Sequence, residues 1–291
     1  METTRPRSGW AAFWGRGGFW RAVLFLLVYI ALYTGASFLS GAVSGDRIDT
    51  DDLFSSASSV FFALTLPLVI GSVVLALFLT SVRWWRPVFF PGKVSPRRWM
   101  WIAPVLVVIP IVLRLIGIDY GRYASGVVAV SLFSGLFIGF AEEVLTRGIV
   151  VKMLRDAGRS EYAVMLLSSL LFALLHTVNL LSGLSAATVA VTVFYTFAYG
   201  IVMYLTLRVT GSLVWPIVLH ALFDPTQFLA LGGIDTSTSG SSNTFLTLAI
   251  PFNIFFIVFA LFALFLVPRI GRGDEHGGES HRQAPSGTLG S

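Results

Sequence analysis

"ASGVVAVSLFSGLFIGFAEEVLTRG" (Ala124–Gly148) opens with eighteen uncharged residues, then sets two adjacent carboxylates, Glu142 and Glu143, one turn ahead of Arg147. The apolar run approaches the roughly 20 residues that an α-helix needs to cross a bilayer. Ionised side chains at membrane depth are costly, so they face a protein interior or a wet cavity and usually have a function there. The stretch therefore reads as a spanning helix with a polar task at one end.

The rest of the chain agrees. Hydrophobic residues make up 55% and charged residues 12% of the 291, against about 25% charged in a soluble domain. Mean hydropathy is +0.81. Long apolar stretches recur at about 22–41, 58–82, 99–118, 124–150, 162–182, 186–207, 212–231 and 244–267. The fold class expected is all-α, a polytopic membrane helix bundle of about eight transmembrane helices. Its organisation is an N-terminal cytoplasmic segment (1–21), N-terminal helices (22–118), a polar-bearing core (124–231), a last helix (244–267) and a disordered cytoplasmic tail (270–291). With no Cys, disulfides, thiolate ligands and Cys nucleophiles are excluded.

Arg5, Arg7, Arg16 and Arg21 precede the first apolar run, as they would in a secretory signal. The long leader and a run of about 20 residues exceed a signal's apolar segment of about 7–15, which favours a retained anchor. Net charge is +5, yet seventeen of the twenty Lys and Arg fall on alternate sides of successive spans. The positive-inside rule then puts both termini in the cytoplasm, as an even number of spans requires. That distribution accounts for the basic residues without nucleic acid. Arg47, Arg114 and Arg122 read as the basic residues of the opposite side. The expected location is the inner (plasma) membrane, with lipid as a partner. Gly232–Asn243 and the tail read as flexible, and His276 and His281 in the tail as solvated. The spacing Gly135–Gly139 reads as close helix packing.

The ionisable residues left at membrane depth are Glu142, Glu143, Arg147, His176, His220 and Asp224. Glu143 and Arg147 share a helix face and can form a structural ion pair. Glu142 points about 100° away, unexplained by that pair. His176 alone reads as a hydrogen-bonded core residue. His220 and Asp224 are four apart, so the carboxylate can orient the imidazole. If spans four and five turn at Gly158, Glu142 lies sixteen residues before it and His176 eighteen after. At about 1.5 Å per residue the two sit within one turn of the same depth. Acids and imidazoles in one slab suit a hydrolase, a proton-relay transporter or a polar pocket on a non-catalytic scaffold.

"EEVLTR" (Glu142–Arg147) resembles the EExxxR motif of the CPBP intramembrane metalloproteases (ABI family), which include type II CAAX prenyl endopeptidases and bacterial proteins linked to bacteriocin self-immunity. "FALLH" (Phe172–His176) resembles that family's FxxxH motif and "HALFD" (His220–Asp224) its HxxxN/D motif, in the family's order, over about residues 124–231. Asp224 departs from the Asn of the prenyl endopeptidases. The resemblance implies an intramembrane endopeptidase acting on a membrane-associated peptide or protein, prenylated or leader-bearing. It makes Glu142 the base that activates water, helped by His176. Glu143, His220 and Asp224 complete the catalytic set. Two His and a carboxylate suit a Zn²⁺ cofactor, with His176 and His220 as its ligands, while a metal-free Glu/His route uses the same residues.

Overall fold

The computed structural model describes residues 9–181, 183–234 and 243–274, and every regular element among them is helical. Most of the loop expected to be flexible and the tail with His276 and His281 lie outside them. Among the described residues eight helices are long and apolar enough to cross a membrane: α1 (Phe19–Arg47), α2 (Ala57–Val82), α3 (Arg98–Gly117), α4 (Val127–Asp156), α5 (Glu161–Leu180), α6 (Ala186–Thr210), α7 (Val214–Leu231) and α8 (Thr244–Val267). Eight such helices fit a multi-pass membrane protein. Their large apolar side chains face outward in numbers, among them Leu27, Leu32, Val73, Leu77, Phe194 and Ile254, as a lipid-facing surface requires.

Residues 9–18 of the N-terminal segment pack onto the bundle. A short helix, Gly9–Gly15, buries Trp14 edge-on against Phe25 and Phe78. The backbone then ties to α4, where Gly18 N–H donates to Met153 O at 2.7 Å. α4 also runs six residues beyond the expected span, and its end carries the Lys152–Asp156 ion pair at 2.7 Å.

Helix α4 is the centre of the bundle, and its closest partner is α7. The cause is local. Pro225 has no N–H to give Ala221 O, the carbonyl one turn earlier, and α4 approaches there at Gly135. A side chain at Gly135 would strike Ala221 O and the Pro225 ring; one at Gly139 would strike Ile217 O and Ala221 N. The two glycines thus do what their spacing predicts, bringing two backbones together.

Two helices widen into π turns. In α2 the turn is Phe61–Thr65, just ahead of Pro67, and it sets Thr65 Oγ1 2.6 Å from Ser134 Oγ of α4. In α4 it is Val144–Val150, directly after the two glutamates. Such widened turns recur at functional sites, where they re-aim side chains. The apolar pattern of this stretch predicts a regular helix. What differs is the backbone, since Glu143 and Arg147 still meet.

Candidate active site

The deepest layer of the site is a buried charge cluster. Glu143 Oε1 lies 3.1 Å from Arg147 Nη1 and 2.8 Å from His220 Nδ1, with both the Glu143 and Arg147 side chains fully buried. Arg147 Nη1 also donates to Thr146 Oγ1 (2.7 Å), and Thr146 donates to Glu142 O (2.6 Å). One carboxylate between a guanidinium and an imidazole satisfies what would otherwise be isolated buried charges. Because Glu143 accepts from Nδ1–H, the Nε2 face of His220 is the one turned towards chemistry.

That face meets two more carboxylates: Asp224 Oδ2 at 3.4 Å and Glu142 Oε2 at 3.7 Å. Asp224 was expected to orient His220. Orientation falls first to Glu143, with the shorter bond on Nδ1, while Asp224 sits on the Nε2 side. Nε2 faces both carboxylates and is the ring atom that can carry a proton to or from either.

Phe172 explains the aromatic of its motif. Arg147 lies 4.0 Å above the Phe172 ring centroid, and the ring meets His176 and His220 edge-on at 5.2 and 5.9 Å. It packs both imidazoles and the buried guanidinium on one apolar body. On the next layer Tyr199 of α6 meets His220 edge-on at 5.3 Å.

Glu142 connects this cluster to open space. With His176, Tyr29, Tyr33, Leu68 and Asn179 it lines a cavity of about 160 Å³, room for several waters. His176 Nδ1–H donates to Phe172 O at 3.2 Å, which leaves Nε2 free to face the cavity as an acceptor. The buried Glu142 Oε2 has no hydrogen-bond partner among the described residues. His220 and Asp224 stand on the other side of Glu142 and do not line this cavity.

The same split bears on zinc. A catalytic zinc centre takes three protein ligands and one open position. Among the described residues no three His, Asp or Glu side chains converge to hold a metal ion. His176 and His220, the expected ligands, flank Glu142, and Glu143 holds His220 by Nδ1 and leaves its Nε2 free, as the support of a metal-ligating imidazole would.

Sequence reasoning missed the tyrosines and Arg114. Tyr29–Tyr33 and Tyr195–Tyr199 are i,i+4 pairs on α1 and α6, each stacked at 6.4 Å. The repeated Tyr-x3-Tyr spacing was the available signal. Arg114 was counted as a residue of the far side; it lies within α3, 6% exposed, with Nη2 donating to Gln227 Oε1 at 3.0 Å. It turns into the bundle because Gln227 and the Phe223 ring, 4.5 Å below its guanidinium, receive it there.

Residues 124–226 match the model of the family described as type II CAAX prenyl endopeptidase Rce1-like. The matched stretch holds all three motifs and ends two residues past Asp224. No curated protein and no solved structure matches the chain.

Proposed function

The match over residues 124–226 supports membership of the CPBP family, and from that premise we propose that the chain is an intramembrane endopeptidase in the plasma membrane, both termini cytoplasmic. Its substrate is a lipid-bound peptide or protein of the prenylated CAAX class. The observation that carries the reading is the position of Glu142, which lines the cavity beside His176 while its Oε2 faces His220.

In the proposed route a water in the cavity gives its proton to Glu142 and attacks the scissile carbonyl, with His176 Nε2 holding the water in line. The carbonyl oxygen becomes an oxyanion, which enters between Glu142 and His220 so that Nε2–H donates to it while Glu143 braces the ring from Nδ1. Collapse breaks the C–N bond, and the proton on Glu142 passes to the leaving amine, so protons balance. Positioned acid–base groups contribute about 10²–10⁴ in rate, and an oxyanion donor about 10²–10³.

The test is turnover of a quenched prenylated peptide by the purified protein. His176→Ala and His220→Ala should each lower kcat by about 10²–10⁴ while the protein still inserts and folds. A chelator should leave the wild-type rate unchanged. Loss of activity to the chelator with recovery on adding Zn²⁺ would overturn the metal-free route. Unchanged turnover by both His variants would overturn the assignment of the site.

A further inference from the structure

The last turn of α5, His176–Leu180, tightens into a 3₁₀ helix. In that geometry side chains three apart eclipse one another, so Asn179 stands in line with His176, about 6 Å further along the axis. Both line the cavity that Glu142 faces. The proposed route uses Glu142 and His176 and gives Asn179 no task. The ordinary structural uses of an asparagine are also unfilled here. Among the described residues only Arg83 and Ser95 combine a side chain with a positive φ, so the backbone at 179 has no need of Asn. The Asn179 carbonyl accepts from Leu184 N–H at 3.3 Å, but the carboxamide has no hydrogen-bond partner among the described residues. The bond to a neighbouring helix that usually accounts for a carboxamide at membrane depth is therefore missing.

The fold itself creates a demand that this group meets. A peptide drawn to bilayer depth loses the water on its backbone N–H and C=O groups, and leaving them unpaired there is costly. Every regular element among the described residues is helical. A helix bonds its own backbone internally, so among those residues no strand edge is open to pair with a peptide, and side chains must do it. A carboxamide carries an acceptor and two donors in one plane, the complement of the N–H and C=O of one extended residue. The placing fits as well. An extended residue spans about 3.3–3.6 Å, so a group about 6 Å from His176 is level with a residue one or two away from the carbonyl under attack.

We propose that Asn179 binds the backbone of the peptide substrate, its Oδ1 accepting from the N–H and its Nδ2 donating to the C=O of a residue within two of the scissile bond. The inference rests on the endopeptidase reading. The contact sets the register in which the scissile carbonyl meets Glu142 and His176. Because it reads backbone and not side chain, it accepts an extended peptide of varied sequence and rejects a helical one, whose N–H and C=O are already paired.

Four prenylated peptides of one sequence test it, with cleavage followed by mass spectrometry. One has every backbone amide. In the other three an ester replaces, in turn, the N–H of the second residue before the scissile bond, of the first before it, and of the second after it. Wild type should lose about 5- to 50-fold in kcat/KM on one ester beyond its loss on the other two. Asn179→Leu, similar in shape and apolar, should slow the all-amide peptide by a similar factor and show no further loss on that ester. Should the Leu variant fail to fold, Asn179→Ser, which keeps a shorter donor and acceptor, should narrow the same difference. An equal fall on all four peptides would mean that Asn179 only supports the turn, and would overturn the proposal. Wild-type turnover by Asn179→Leu would overturn it too, as would a wild type that treats the three esters alike.

Binding separates the two claims. The unprenylated all-amide peptide should raise the Tm of wild type more than one of its ester forms does, and the difference should vanish in Asn179→Leu. Equal shifts would overturn the backbone contact. A difference that Asn179→Leu removes, in a protein that cleaves none of the peptides, would overturn the endopeptidase reading and leave the contact standing.

Discussion

Glu142 and Glu143 are neighbours in sequence with opposite fates. Glu143 is sealed between Arg147 and His220, while Glu142 lines the cavity. Removing one partner of a buried ion pair costs about 3–5 kcal/mol. Glu143→Gln should therefore lower yield and Tm as well as rate, since it strands Arg147 and loosens His220 together. Asp224 is a different case. Because Nδ1 is braced by Glu143, Asp224→Asn keeps an acceptor beside Nε2 and should retain measurable activity, whereas Asp224→Ala should lose most of it. Equal, near-complete loss in both would show that the negative charge is required. Much of this was legible, because acids and imidazoles in an apolar chain have few reasons to be there. The bond from Glu143 to His220 was not, since a contact across 77 positions leaves no local spacing to read. The tyrosines were hidden by being ordinary membrane-helix residues.

At the scale of the element, the site depends on how closely α4 and α7 approach. Gly139→Ala would drive a methyl into Ile217 O and Ala221, separating the helices that carry Glu143 and His220. Overpacking of this kind costs about 1–3 kcal/mol. Gly41→Ala in α1 is the control, since a methyl there meets nothing within 4 Å and helix propensity favours Ala. Thermal unfolding in detergent should show a lower Tm and less activity for Gly139→Ala, and no loss for Gly41→Ala. A Gly139→Ala protein as stable and active as wild type would refute the packing account. The glycine spacing was readable from sequence; the π turn after Glu143 was not, because the β-branched residues and Gly148 of Val144–Val150 are common in spanning helices of every kind.

For the whole molecule, eight helices follow almost directly from the apolar runs, each boundary lying within a few residues except at the ends of α1 and α4. Charge counting is coarser. It counts Arg114 with the basic residues of the opposite side, whereas the side chain is buried in the bundle, which leaves Arg47 and Arg122 there. The proposed topology gains from that correction, and reporter fusions after Arg98 and after Gly232 should report opposite faces of the membrane; the same face for both would refute it. The central claim is that Glu142 activates the water that cuts the peptide. The measurement closest to it is product formation, followed by mass spectrometry, from one prenylated peptide in vesicles holding either wild type or Glu142→Gln at matched folded amounts. The account predicts a single internal cleavage by wild type and a rate lower by about 10²–10⁴ for Glu142→Gln. Cleavage at the wild-type rate by Glu142→Gln, or no cleavage by wild type, would contradict it.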